Sequence, residues 1–175
     1  MKKFDVPLPV KLVCGILYRE EEHLNRGVAD LQDRFGEIDF RSASLNFNYT
    51  EYYSKQMGEP LYRIFLSFSR LMDPSALLDV KLFTNQREEE YFRMHNRRVL
   101  NIDPGYLSGA SFILATSKNY AHRIYLGNGV FAQQELLFER KRTVTLEWTY
   151  PDYRTLEYQE ILRRIRQIYL KQVPQ

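Results

Sequence analysis

The polar side chains with enough reach for chemistry gather in three short stretches. The first is Asn101-Ile102-Asp103-Pro104-Gly105-Tyr106. Asp-Pro-Gly fits a type II turn, with Pro setting the second position and Gly accepting a positive φ at the third. The same Asp103, held stiffly at the end of a strand, would also suit proton transfer or metal ligation. The second stretch is Ala115-Thr116-Ser117-Lys118 followed by His122-Arg123-Ile124-Tyr125-Leu126. Strand alternation predicts His122 on one face with Ile124 and Leu126, and Arg123 with Tyr125 on the other. His122 is then either a satisfied core histidine or the acid–base partner of Asp103. Arg123 and Tyr125 make either a cation lying against a ring or half of an anion clamp. Lys118 stands in the connecting turn.

The third stretch is Trp148-Thr149-Tyr150-Pro151-Asp152-Tyr153-Arg154. Asp152 could cap a following helix, with Pro151 setting the turn and the rings covering the sheet end. The functional alternative is an aromatic wall of Trp148, Tyr150 and Tyr153 for a base or sugar, with Arg154 reaching a phosphate. Two further signals lie earlier in the chain. Lys81, Asn85 and Glu88 recur at i, i+4 and i+7, a polar stripe on a helix that reads either as solvated or as part of a site. Arg63 interrupts an apolar run, with Leu61 and Phe65 on its own face. A buried arginine needs an anionic partner, since an unpaired buried charge is strongly unfavourable. Asp103, Glu135 or a ligand phosphate could supply it.

Common catalytic signatures are absent. The sequence has no G-x-x-x-x-G-K-[ST] and no G-x-S-x-G, and Gly127-Asn128-Gly129 lacks the third glycine and following helix of a dinucleotide fingerprint. With three His and one Cys, no ordinary structural zinc site is expected and no metal ligand is assigned, while the sequence leaves any cofactor unknown.

Composition sets the frame. A chain of 175 residues, 44% hydrophobic and 27% charged, can bury a core without staples and is expected to form one domain over residues 1–175. Tyr and Phe number 13 and 11, an excess suited to sheets and stacking pockets. The net charge of +3 equals the excess in residues 154–171, where five basic side chains face two acidic ones. That is mild for a nucleic-acid binder and reads more simply as a solvated helix face. The single Cys14 lies in an apolar run, which points to a reducing cytoplasm. Lys2-Lys3 imitates the start of a signal peptide, but Asp5, two prolines and Lys11 interrupt any apolar core. No run approaches the ~20 apolar residues that cross a bilayer.

These segments need a scaffold, and the periodicities supply one. Residues 10–18 are apolar on both alternating faces, a central strand. Leu24, Val28, Leu31 and Phe35 follow at helical spacing, with Glu20–Glu22 at the start and Gly36 as the stop. Residues 38–47 and 61–71 read as strands flanking an irregular aromatic segment at 48–59. Asp73-Pro74 starts a helix running toward His95, with a break allowed at 83–85. With a strand at 98–102, the order is β-α-β-β-α-β, a ferredoxin-like half. Residues 112–116, 121–126, 130–139 and 143–148 predict an antiparallel meander. An amphipathic helix at about 154–171 closes an α+β fold.

At these same segments the chain resembles an uncharacterised family named domain of unknown function 4416, found in bacteria and archaea. The likeness runs through Phe35-Gly36-Glu37-Ile38-Asp39, Tyr52-Tyr53 with Met57-Gly58, and Arg63 with Phe65, Ser67 and Phe68. It continues through Lys81, Thr84-Asn85, residues 101–106, Ala115-Thr116 with Lys118, residues 122–126 and residues 148–154. The resemblance implies no established activity. Gln56 and Gln133 stand where the family pattern has carboxylates, so no acid–base role is expected at either.

The expectation is therefore a basic, aromatic-lined pocket for a phosphate-bearing small molecule, a nucleotide among the candidates. Arg63, Lys81, Asn85, Asn101, Lys118, Arg123, Tyr125, Trp148, Tyr150, Asp152, Tyr153 and Arg154 would line it, with Asp103 and His122 as the acid–base pair. Two other classes stay open. One is RNA binding on an open sheet, which the weak charge does not favour. The other is an interaction or scaffold protein, as a homodimer through a strand edge or the last helix.

Overall fold

A computed structural model describes residues 5–140 and 142–174. The Lys2-Lys3 pair lies outside the described residues. Strand β1 (Val10–Tyr18) is buried along its whole length, as its two-sided apolar pattern requires. Helix α1 (Glu21–Phe35) follows, and Gly36 ends it at φ 92°. Strands β2 (Ile38–Arg41) and β3 (Leu45–Asn46) come next. Then comes α2 (Glu51–Met57), capped by the Thr50 side chain accepting from the Tyr52 amide. The segment expected to be irregular thus holds a helix, announced by Thr50-Glu51 and stopped by Gly58 at φ 80°.

Strand β4 (Tyr62–Met72) leads into α3 (Leu77–His95), which a short 3-10 turn at Pro74–Ala76 precedes. Asp73 accepts from the Ser75 amide there, and α3 runs unbroken through residues 83–85. The second half comprises β5 (Leu100–Leu107), β6 (Ser111–Thr116), β7 (Ile124–Gly127), β8 (Val130–Phe138), β9 (Thr143–Thr145) and α4 (Leu156–Gln172).

The fold is α+β, with one antiparallel sheet of order β2-β4-β1-β5-β6-β8-β7, β3 pairing with β4 and β9 with β8. The second half departs from a simple meander, because β8 rather than β7 lies beside β6. The β7–β8 hairpin turns on Asn128 (φ 50°) and Gly129 (φ 76°), the paired positive φ values of a tight two-residue turn. One face of β1 and β4 packs Cys14, Ile16, Ile64 and Leu66 with α1 and α3. The opposite face packs Val13 and Phe65 with Phe112, Leu136 and the apolar side of α4. There the fully buried Tyr158 sets its ring edge-on to Phe65 at 4.8 Å, a geometry worth about 1 kcal/mol beyond burial. Among the described residues, no helix is long and apolar enough to cross a membrane.

Residues 103–105 correct the sequence reading. Asp103, Pro104 and Gly105 form no turn; β5 runs straight through them, pairing with Gly15, Cys14 and Val13 of β1. Their effect is on the other edge of β5. Pairing with β6 begins only at Gly105, opposite Leu114, so residues 100–104 have no strand on that side. Strand edges alternate along the chain, which turns Pro104 toward the same side as Ile102, where it has no N–H to offer. A Cβ on Gly105 would lie 2.4 Å from the Ile113 carbonyl oxygen, so only glycine fits where the strands join. Beyond that junction the sheet forks.

Candidate functional site

The fork opens a cavity of about 580 Å³. One wall is the unpaired edge of β5, and the other is the end of β6 with the residues that follow it. The backbone of Ile102, deprived of a strand partner, is satisfied by α3: its N–H donates to Glu88 at 2.7 Å, and its carbonyl accepts from Lys81 Nζ at 3.2 Å. The stripe Lys81, Asn85 and Glu88 therefore faces the cavity, not solvent, and substitutes for the missing strand.

At the deep end, Arg63 of β4 reaches across β1 to Asp103 at 2.9 Å and lies 3.8 Å from Asp152. Of the partners considered from sequence, Asp103 is the one it meets, and Asp152 joins it. Gly15 makes this possible, since a Cβ there would stand 2.8 Å from Arg63 Nη1. Asn101 donates to the same Asp103 oxygen at 2.7 Å and accepts from Arg98, which also pairs with Glu88 at 2.8 Å. Asp103 sits deep in the protein, yet about a quarter (26%) of its side chain faces the cavity. Burial alone would raise its pKa, but the Arg63 and Lys81 charges and the bond from Asn101 prevail and hold it below the usual carboxylate value. Asp152 goes the other way: burial raises it, Arg63 only partly compensates, and the Asp103 charge adds to the rise. Burial likewise raises Glu88 against the pull of Lys81 and Arg98. Two carboxylates on one guanidinium thus have opposite proton affinities, the pattern that separates a base from an acid.

The structure brings nine of the expected residues to this cavity: Arg63, Lys81, Asn85, Asn101, Asp103, Lys118, Tyr150, Asp152 and Tyr153. Five stand elsewhere. His122 and Arg123 precede β7, so strand alternation does not govern them. His122 stacks flat on Trp148 at 4.9 Å, away from Asp103 and the cavity lining. The second acid in the cavity that shares Arg63 with Asp103 is Asp152. Arg123 forms no clamp with Tyr125; it lies over the rings of Tyr120 and Tyr150. Tyr125 is exposed and leans on Phe131. Trp148 donates its indole N–H to the Gln134 carbonyl, and Arg154 staples its own loop through the carbonyls of Leu146, Glu147 and Thr149. On α4, Arg166 is likewise engaged, donating to the Gly109 carbonyl and covering the Phe138 ring.

Sequence reasoning missed the wall made by Phe47, Tyr49, Tyr52 and Tyr53, and the cation Arg98. The aromatic run from 47 to 53 was itself the signal. Gln56, one of the two amides noted above, accepts from Arg98 at 3.1 Å. Among the described residues, no group of three or more His, Cys, Asp or Glu side chains is placed to hold a metal ion.

The family described as Domain of unknown function (DUF4416) matches residues 8–169, and the chain belongs to it. No curated protein and no solved structure matches the chain.

Proposed function

We propose that the fork cavity binds a small molecule carrying an anionic group, a phosphate ester being the simplest class, and a flat ring. The supporting observation is the state of the cavity's lysines. Arg63 and Arg98 are committed to carboxylates, but Lys81 and Lys118 have no ion-pair partner among the described residues. Lys81 sits on the floor, bonded only to a backbone carbonyl, and Lys118 stands at the rim over the Tyr52 ring at 4.9 Å. Four cations against three carboxylates leave the lining with an excess of positive charge. Tyr49, Tyr52, Tyr53 and Tyr150 make the lining rich in aromatic rings, and a volume near 580 Å³ suits a ligand of nucleotide or sugar-phosphate size.

The scaffold in this reading is a single domain. The order β5-β1-β4-β2, antiparallel throughout and with α1 and α3 on one face, supports a ferredoxin-like first half. Asp103 and Asp152 are the groups positioned to move protons if the guest is turned over.

Thermal-shift and calorimetric titration with sulfate, inorganic phosphate, sugar phosphates and nucleoside phosphates tests the proposal. At least one phosphate ester should stabilise the protein, and Lys118→Ala should weaken it by about tenfold, or 1.4 kcal/mol, without loss of fold. Absence of a shift with every anion, or equal affinity in the Lys118→Ala protein, would reject it.

A further inference from the structure

We propose that Glu135, Gln133 and Arg123 form a hydrogen-bonded relay that holds the Tyr150–Lys118 wall of the cavity and slackens it when Glu135 takes up a proton. The proposal rests on the ligand-binding reading above and concerns the regulation of that site.

Glu135 lies on β8 and is fully buried. Its Oε1 accepts from the Tyr150 amide at 2.6 Å, and its Oε2 accepts from Gln133 Nε2. The Gln133 amide also donates to the Trp148 carbonyl. Its oxygen accepts from Arg123 Nε at 2.7 Å and His122 Nε2 at 3.0 Å, so that histidine nitrogen carries a proton. Arg123 then finishes the chain, donating to the Lys118 carbonyl at 2.6 Å and the Tyr150 hydroxyl at 2.8 Å. Tyr150 is gripped at both ends, its backbone by Glu135 and its phenol by Arg123.

This arrangement requires a carboxylate. Both oxygens of Glu135 already receive an N–H, so an added proton on either one meets a donor and no acceptor. Turning the Gln133 amide over does not help, because its NH2 would then face the N–H groups of Arg123 and His122. Protonation therefore weakens the charge-assisted links from Tyr150 and Gln133 and adds an O–H that finds no acceptor among the relay's groups. The charged and titratable groups around Glu135 are Asp152, Arg123, the phenols of Tyr150 and Tyr153, and His122 through Gln133. Burial and the Asp152 charge push Glu135 up to about 7, against the bonds from Tyr150 and Gln133 and the pull of Arg123.

Trp148, the only tryptophan, provides a reporter that needs no ligand. Its emission should pass through one transition near neutral pH in the full-length protein. Glu135→Gln should abolish it, whereas His122→Phe, which preserves the stack and cannot titrate, should retain it. A transition lost in His122→Phe but kept in Glu135→Gln, or none in the parent protein, would overturn the relay. Sulfate, whose charge is constant over this range, then reads the site. Its affinity should fall at least fivefold from pH 8 to pH 6 in the parent, against the opposite pull of Glu88 and Asp152 in the lining, and no such fall should remain in Glu135→Gln or in Gln133→Met. A fall that persists in both variants would also overturn the proposal. Failure of sulfate to bind at any pH would count against the ligand-binding reading, while the Trp148 transition would still decide the relay.

Discussion

Arg63 and Asp103 meet at 2.9 Å although their strands are not neighbours, and the strand between them yields the space at Gly15. A charge pair over a glycine, at the base of an open fork, organises the rest of the cavity. Asn101 and Asp152 hold to the same two groups.

Removing the guanidinium should be costly. Arg63→Ala leaves Asp103 and Asp152 facing each other with burial intact, and a loss of about 3–5 kcal/mol is expected in urea unfolding. The loss should shrink below pH 4, where the carboxylates can protonate. A change under about 1 kcal/mol at pH 7 would show that the pair does not hold this region together.

Gly15→Ala tests the same contact sterically. A methyl group 2.8 Å from Arg63 Nη1 must displace the guanidinium or part the strands. The expected destabilisation is about 1–3 kcal/mol, with weaker anion binding in titration calorimetry. An unchanged melting temperature together with unchanged binding would contradict the packing described.

Glu88 should leave a mark on hydrogen exchange. The Ile102 amide faces the fork, yet it is bonded to Glu88 at 2.7 Å. Its exchange should be as slow as that of a paired strand amide and become fast in Glu88→Ala. Equal protection in both proteins would mean that another group satisfies it.

Stability should also depend on pH in a direction set by Glu135. Its pKa rises from 4.5 to about 7 on folding, so the folded chain keeps a proton that the unfolded chain releases across this window. Stability from this group is therefore greatest below 4.5 and declines as pH rises toward 7, by about 3 kcal/mol in all. Asp103 has the opposite sign: held below 3.8, it stabilises above that value and loses its effect on acidification. Denaturant midpoints between pH 5 and pH 8 should fall in the parent protein and fall less steeply in Glu135→Gln, where Glu88 and Asp152, also raised by burial, still contribute. A parent profile that rises over this range would refute the assignment.

The scaffold was legible where one periodicity governs a long segment. Strand β1, helix α1 and the buried face of α4 follow from apolar spacing, and α3 from its Asp-Pro start. The fork was not, because Asp103-Pro104-Gly105 has the composition of a turn and nothing local reveals that β1 already fixes it as strand. The polar stripe on α3 was visible, but solvent was the simpler explanation until β5 proved to lack a partner there. Arg63 announced its own burial, and its partner was among those considered. His122 and Arg123 precede β7, where no strand alternation orients their side chains and nothing in the local sequence marks the boundary. The α2 segment was obscured by its brevity: at seven residues, it owes its helix to the Thr50 cap and to packing of Met57, not to a repeating pattern.

The fork also divides the cavity lining between two lengths of chain. Arg63, Lys81, Glu88 and Asp103 precede the Ser108–Ser111 link, whereas Thr116, Lys118, Tyr150 and Asp152 follow it. A molecule seated there touches both, so it would act as a clasp across that link. Severed at the hairpin, the two pieces would each carry half a receptacle, and occupancy would become the force that reunites them.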